Sequence, residues 1–453
     1  MKTYVQFFSV MLFIVLFPSC NDGNNDENNP YDIPHTVGKP VVVQDISPRE
    51  GGLGTRVVVS GSNFGNDKEK VKLFFNRKEA LILKIQDNAI YAMVPKQPGE
   101  LSTIKVVVSE KENPEGTFEG VEAELADKRF KYRLRATVTT VAGKVGVSQV
   151  KDGTLTEGTF GRPDMIAVDS TGNNIFITEP SGSVRLLSLK ENRMLTVISN
   201  IVKPWSCAFN SQYTEFYVVL REASSRPLLF YRLTKESNWT EGEPFYDQKD
   251  EQGNYIAGSL TYYGLTADDK YIYMLATGGI QLIRIDQKTR KVELIGNNLN
   301  LHSWSHICYN KKDKHIYVAT EAGRVYKFNP YKTVAGTDKI WVTRADVTLI
   351  AGDRVGSAVE GIGKNAQFGE VEAITCDSEG NFYLADFTNH VIWKGDEIFN
   401  CTILGGVPGE RGYKDGKPRE ALFNTSYGLA ATPDGVVYVA DSNNGVVRRI
   451  AIQ

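Results

Sequence analysis

The sequence has no basic field. Its 52 lysines and arginines face 54 aspartates and glutamates, for a formal net charge of −2. Without excess positive charge there is little to set against nucleic-acid phosphates, and nucleic acid is not an expected partner. Cysteine is scarce: Cys20, Cys207, Cys308, Cys376 and Cys401 are all there is, and their spacing fits no zinc pattern. Cys207, Cys308 and Cys376 fall in equivalent strands of the repeat described below and read as small buried core residues. A disulfide between different repeats would need unusually close Cα atoms. Histidine is equally scarce, at five. His302 and His306 are four apart, but on a loop-to-strand turn rather than a helix, so they need not share a face. His35 lies in a polar tether, and His315 flanks a strand in a charged turn. No Gly-x-Ser-x-Gly elbow and no Ser–His–Asp set is apparent. Gly361-x-Gly363 is followed by no strand-to-helix crossover, so it is no dinucleotide fingerprint. These absences leave no catalytic residue, metal or cofactor to assign.

What the chain does have is repetition. Ile175-Phe176-Ile177-Thr178 returns as Phe216-Tyr217-Val218-Val219 and Ile272-Tyr273-Met274-Leu275. It returns again as Ile316-Tyr317-Val318-Ala319, Phe382-Tyr383-Leu384-Ala385-Asp386 and Val437-Tyr438-Val439-Ala440-Asp441, with copies about 41 to 66 residues apart. One small sheet cannot bury both of its faces, so a strand-cored repeat near this period predicts a β-propeller in which each sheet covers the next. The 41 glycines, 21 phenylalanines and 21 tyrosines suit many short strands and tight turns. A length of 453 residues leaves room for two or three domains.

The N-terminus reads as an address. Lys2 precedes an apolar run from Val5 to Phe17, too short for a membrane span and typical of a secretory signal. Pro18-Ser19-Cys20 follows, and a Cys directly after Ser19 resembles the lipobox of bacterial lipoproteins. The resemblance implies a signal peptide over residues 1–19 and lipidation of Cys20. The stretch Asn21-Asp22-Gly23-Asn24-Asn25-Asp26-Glu27-Asn28-Asn29-Pro30 has no apolar residue, so residues 20–38 are expected to be a disordered tether. Asp22, Asn24 and Asp26 do not make a calcium loop, because the central Gly and the bidentate Glu are missing. Acidic residues just after a lipidated Cys resemble a surface-export signal of some Gram-negative anaerobes. They imply an outer-membrane lipoprotein facing the cell exterior.

Residues 39–132 read as short alternating strands of a small antiparallel β-sandwich. Ser47-Pro48-Arg49-Glu50-Gly51-Gly52, Gly61-Ser62-Asn63-Phe64-Gly65 and the strand end Val94-Pro95 occur in that order. They resemble the IPT/TIG domain, an immunoglobulin-like module, with a longer piece than usual from Glu112 to Lys128. The resemblance implies a spacer or interaction module. From residue 133 to 453 the repeats resemble the NHL family. Gly380-Asn381-Phe382-Tyr383-Leu384-Ala385-Asp386 with Asn389-His390-Val391-Ile392 carries the likeness, as does Gly435-Val436-Val437-Tyr438-Val439-Ala440-Asp441 with Asn443-Asn444. His390 then matches the repeat's own Asn-His position, and Asp386 and Asp441 its structural aspartate. In three repeats Leu220, Ala276 and Thr320 stand where that aspartate would be. The expected fold is all-β: an immunoglobulin-like sandwich followed by a six-bladed NHL-type propeller. The chain ends after a third strand, so Thr137 to Gly143 should supply the missing outer strand and close the ring from the N-terminal side.

In the NHL arrangement, residues just before the inner strands face the mouth of the central channel. Here they are Pro163-Asp164-Met165, Pro204-Trp205-Ser206, Tyr262-Tyr263-Gly264, Trp304-Ser305-His306, Val371-Glu372-Ala373 and Ser426-Tyr427-Gly428. Aromatic faces suit sugar rings and carboxylates suit hydroxyls. Asp164, Trp205, Tyr263, Trp304, Glu372 and Tyr427 are therefore the candidate ligand-binding residues. Two long loops, Asp353 to Gly369 and Val407 to Phe423, open onto the same face. The favoured reading is a surface lipoprotein that binds a polysaccharide or oligosaccharide and works beside other glycan-uptake proteins. A lyase or lactone hydrolase acting in the mouth, or a protein-interaction scaffold, are the alternatives. If the aromatics form an open shelf, Trp205→Ala with Trp304→Ala should leave stability nearly intact.

Overall fold

A computed structural model describes residues 33–95, 101–110, 120–126, 129–132, 136–220, 228–258, 261–302 and 304–452. The signal peptide, Cys20, most of the tether and much of the Glu112–Lys128 piece lie outside the described residues. The chain divides into two compact units between Leu134 and Arg135.

The first unit is a sandwich. One sheet orders Val42–Ser47, Arg56–Ser62, Ala89–Met93 and Leu81–Gln86; a second orders Gly120–Glu124, Ile104–Ser109, Val71–Phe75 and Lys78–Glu79; a small third orders Glu50–Gly51, Phe130–Tyr132 and Leu101–Ser102. Alternation along the strands sends Val57, Val59, Leu73, Phe75, Ile90, Val106 and Val108 into one core. Asn63 sits at φ +61, a conformation Asn tolerates better than most residues. Its buried amide donates to the Thr36 and Lys39 carbonyls at 3.1 and 2.7 Å and accepts from the Thr36 amide at 2.8 Å. The tether expected through residue 38 is thus already pinned at His35 and Thr36. His35 Nδ1 lies 2.8 Å from the Asn63 carbonyl. Polar composition predicts solvation but does not reveal a buried amide waiting to be satisfied.

The second unit is the propeller. Among its described residues six antiparallel sheets follow one another, and in the first four the strands are ordered in sequence from the inner strand outward. The inner strands are Ile166–Val168, Pro204–Phe209, Tyr262–Ala267, Ser305–Asn310, Val371–Cys376 and Ser426–Ala431. Blade six takes its outer strand from Ala136–Gly143, which pairs with Val446–Ile452, Val138 opposite Ile450. This is the closure expected from the missing strand at the C-terminus. Blade five gains a fifth strand, Gly361–Ile362, from the first long loop.

The core decides the ring. Six apolar clusters each join two successive blades, and the last joins blade six to blade one. In blade two, Phe216 and Val218 face blade one while Tyr217 and Val219 face blade three. A strand buried on both faces has no polar side, and this is why the repeated phrase is apolar at successive positions. The inner strands carry small residues, and at the end away from the mouth they enclose a cavity of about 160 Å³ lined by Ala167, Cys207, Thr266, Cys308, Thr375 and Ala430. The four described cysteines are free. Burial raises the Cys207 thiol well above its ordinary range.

Polar clamps tie neighbouring blades. Glu215 of blade two accepts from Arg232 Nε at 2.9 Å, from Tyr217, and from Arg290 of blade three at 2.9 Å. Desolvation would raise this carboxyl, but the two guanidiniums and the phenol outweigh it and lower it to about 2. The lowered value makes its contribution full above about 4.5 and lost as pH falls toward 2. Glu215→Gln is therefore expected to reduce stability by about 1–2 kcal/mol at neutral pH, a figure held down by the partial exposure of the cluster. In thermal unfolding over a pH series the gap between the two proteins should close below pH 4.5. A gap independent of pH would remove the clamp from the account.

Candidate functional site

The sequence places its candidates just before the inner strands. The structure puts four of the six inside them. In blades two, three, five and six the register with the next strand slips at the second residue: between Pro204 and Cys207, Tyr262 and Gly264, Val371 and Ala373, and Ser426 and Gly428. Trp205, Tyr263, Glu372 and Tyr427 lie in these β-bulges. A bulge leaves one residue unpaired and re-aims its side chain, here toward the propeller axis. Strand alternation in the sequence does not reveal an inserted residue, which is why the starts of these four strands were misplaced.

The aromatic candidates meet. Trp205 packs with Met165 and Tyr263, and Trp304 and Tyr427 lie against this group. Trp205 is edge-on to Tyr263 at 6.3 Å and to Tyr427 at 5.9 Å between ring centroids, and Trp304 stacks on Tyr263 at 6.2 Å. They are not equally accessible. Trp205 is 2% exposed and Tyr263 is also buried, whereas Trp304 and Tyr427 are half-buried. Trp205 and Tyr263 plug the axis, and the outer two rings form the surface above them.

The two carboxylate candidates differ. Asp164 is fully buried and receives a two-pronged bond from Arg162, Nε and Nη2 each at 2.7 Å. The Arg162 guanidinium lies 5.1 Å from the Tyr427 ring centroid. Asp164 thus fixes Arg162 on the rim rather than facing a ligand itself. Glu372, 2% exposed, has Oε2 without a hydrogen-bond partner, and its nearest opposite is His306 Nε2 at 3.7 Å, likewise unbonded. His306 is 4% exposed, with its ring 6.4 Å from Trp205. His302 points elsewhere, with Nδ1 2.7 Å from Glu321, so the two histidines do not share a site. Among the described residues no group of three or more His, Cys, Asp and Glu is placed to hold a metal ion.

Besides Arg162, three rim residues escaped the sequence reading. Phe387 is half-buried, 4.9 Å from Tyr427, and its amide donates to the Glu370 carbonyl at 2.8 Å. Glu370 lines an open pocket of about 510 Å³ with His302, Glu321, Arg324 and Arg354. Glu321 in turn donates its amide to the Trp304 carbonyl at 3.3 Å. Arg162, Tyr427, Phe387, Glu370, Glu321 and Trp304 therefore follow one another around the mouth. The signal for Phe387 and Glu321 was their place directly after a repeat's middle strand, where the sequence reading looked only for the aspartate.

That aspartate position is occupied structurally. Asp386 accepts from the Gly369 amide at 2.9 Å and from Trp393 Nε1 at 3.0 Å. Asp441 accepts from the Asn424 amide and from Arg448, each at 2.8 Å. Both carboxylates anchor the ends of the two long loops, whose Phe368 and Phe423 are fully buried.

Residues 40–119 match the IPT/TIG domain. In this chain the matched residues are followed by the propeller, and solved structures of like fold align over nearly its whole length. A Bacteroides thetaiotaomicron protein of unknown function aligns over 93% of this chain and all of its own length, with a TM-score of 0.73 and 24% identity. An auxiliary nutrient binding protein from the same organism aligns over 92% and 99%, with a TM-score of 0.58 and 22% identity. At these identities the likeness is one of fold. A curated human protein, NHL repeat-containing protein 2, is 34% identical over 93 residues, 20% of this chain. The chain spans only about a tenth of the length of the curated relatives it matches.

Proposed function

We propose that the chain is a lipid-anchored protein of the outer cell surface that binds an oligosaccharide or polysaccharide at the propeller mouth and serves neighbouring uptake proteins. The observation that carries this is the run of half-buried rings, Trp304, Tyr427 and Phe387, over a filled axis and between polar side chains. Stacking surface and hydrogen-bonding groups alternate there at the scale of a sugar ring. The nutrient-binding description of a protein of like fold supports the same reading.

Full-length protein in mild detergent should be retained by at least one polysaccharide in affinity gels. Trp304→Ala and Tyr427→Ala should each weaken binding by about 1 kcal/mol, roughly fivefold. Retention unchanged in the double variant, or no retention by any glycan, would overturn the proposal. For the anchor, Cys20→Ala should release the protein from the membrane fraction or stall its processing, since acyl chains provide durable attachment. Unchanged fractionation would refute it.

A second reading, a lyase or lactone hydrolase in the mouth, rests on the buried His306–Glu372 pair. New reducing or unsaturated ends released from a retained glycan would favour it, and intact glycan after prolonged incubation would dispose of it.

A further inference from the structure

The pocket beside Trp304 carries two cations that no described carboxylate neutralises. Arg324 opens the third strand of blade four, Arg324–Phe328, and is half-buried; Arg354 lies in the first long loop and is exposed. Both line the open pocket of about 510 Å³. Arg324 gives its Nε to the Asp353 carbonyl at 2.5 Å, which leaves both of its Nη groups. The Arg354 guanidinium bonds to no described residue, and neither arginine makes an ion pair among them. The loop is held where it presents these groups. Val355 bridges Phe368, the Gly356 amide donates to the Phe368 carbonyl at 2.8 Å, and Asn389 Nδ2 donates to the Gly356 carbonyl at 3.1 Å. The carboxylates of the pocket are engaged elsewhere. Glu321 Oε1 faces His302 Nδ1 at 2.7 Å. Glu370 stands on the blade-five side, its amide donating to Thr388 Oγ1 at 3.0 Å. Burial first, and then Glu372, Glu321 and Asp386, hold its carboxyl above the ordinary range, and neither arginine is among the groups that act on it. Two guanidinium groups thus meet one cavity on one side, with carboxylates on the other and the Trp304 ring alongside.

We propose that this pocket receives the carboxylate of a uronic acid at Arg324 and Arg354, with the sugar ring against Trp304. This rests on the glycan reading and narrows it to acidic glycans. A carboxylate is planar and offers two oxygens, which match the paired N–H groups of a guanidinium. The hydroxyls of the same ring find acceptors in Glu321 and Glu370 across the pocket. A methyl ester keeps the ring and its hydroxyls but removes the charge that the arginines read.

The test is calorimetric titration of the full-length protein in mild detergent. The ligands are oligomers of galacturonic, glucuronic and mannuronic acid, their methyl esters, and a sulfated galactose oligomer, all of equal length. The pH is held at about 7, where carboxyl groups are ionised. At least one acid should bind about tenfold more tightly than its own ester, the low end of what a charge-assisted contact contributes. The preference should shrink in high salt. Arg354→Gln removes the charge from an exposed side chain. It should bring acid and ester close to equal affinity while leaving the thermal unfolding curve in place, and Arg324→Gln should likewise narrow the preference. Equal binding of every acid and its ester would overturn this inference and leave the glycan reading standing. So would a preference that survives in both variants. Tighter binding of the esters would overturn it in favour of the carboxylate side of the pocket. A sulfated oligomer bound as tightly as the best acid would overturn the carboxylate assignment in favour of a general anion site. Binding of none of these ligands overturns it, and a wider glycan panel that also fails removes the parent reading with it.

Discussion

Replacing Arg448 with methionine is expected to destabilise the propeller by about 3–5 kcal/mol, the cost of stripping a buried ion pair of one partner. Arg448 is fully buried in blade six. It bonds Asp441 at 2.8 Å, Asp415 at 2.6 Å, and the Leu422 and Lys414 carbonyls at 3.0 and 2.8 Å. One side chain therefore holds the second long loop against the blade that closes the ring. Burial, more than any partner, raises the Asp441 carboxyl to about 6, and Arg448 is among the groups that resist this. Without the guanidinium the carboxylate is left buried with only amide donors. A second change, Asp441→Asn, should recover part of the loss, because the stranded charge is gone. Chemical denaturation of the three proteins measures this. If the single variant unfolds within about 1 kcal/mol of the parent, the clamp is not what holds the closing blade.

Trp205→Ala is expected to cost about 3–5 kcal/mol, the range for truncating a large ring in a packed interior. Trp304→Ala should cost about 1 kcal/mol or less, because its ring is half-buried. The pair separates two roles that the sequence joined. Trp205 sits at the centre of the ring cluster, edge-on to Tyr263 and Tyr427, so its loss opens a cavity under the mouth. The open-shelf expectation, in which both tryptophans can be removed without loss of stability, does not suit a ring that is 2% exposed. Thermal unfolding of each variant alongside glycan retention is the measurement. Unchanged stability in Trp205→Ala would restore the open shelf.

How much was legible follows from how each signal is encoded. The sandwich was readable because alternation and its turn motifs are local. Asn63 shows the limit: its position in the Gly-Ser-Asn-Phe-Gly motif was evident, but its hold on His35 and Thr36 was not, since the partners lie some 27 residues away. The blade count was readable from six copies of one apolar phrase. The open end at Ile452 was readable too, and with it the strand Ala136–Gly143 that closes it.

The mouth was only half legible. Counting from the repeat brought Trp205, Tyr263, Trp304 and Tyr427 to one place, because equivalent positions in a ring of blades converge on the axis. Their depth was another matter. The bulges at Trp205, Tyr263, Glu372 and Tyr427 depend on how each inner strand meets its neighbour, and a bulge has no period. The sequence by itself determined the number of blades, the closing strand and which residues approach the axis, since these follow from repetition and apolar pattern. Only the tertiary structure decided that Trp205 and Tyr263 fill the axis, that Asp164 serves Arg162, and that Glu370, Glu321 and Phe387 complete the rim. Burial and charge crowding arise between side chains that are remote in the chain and meet only when the ring has closed.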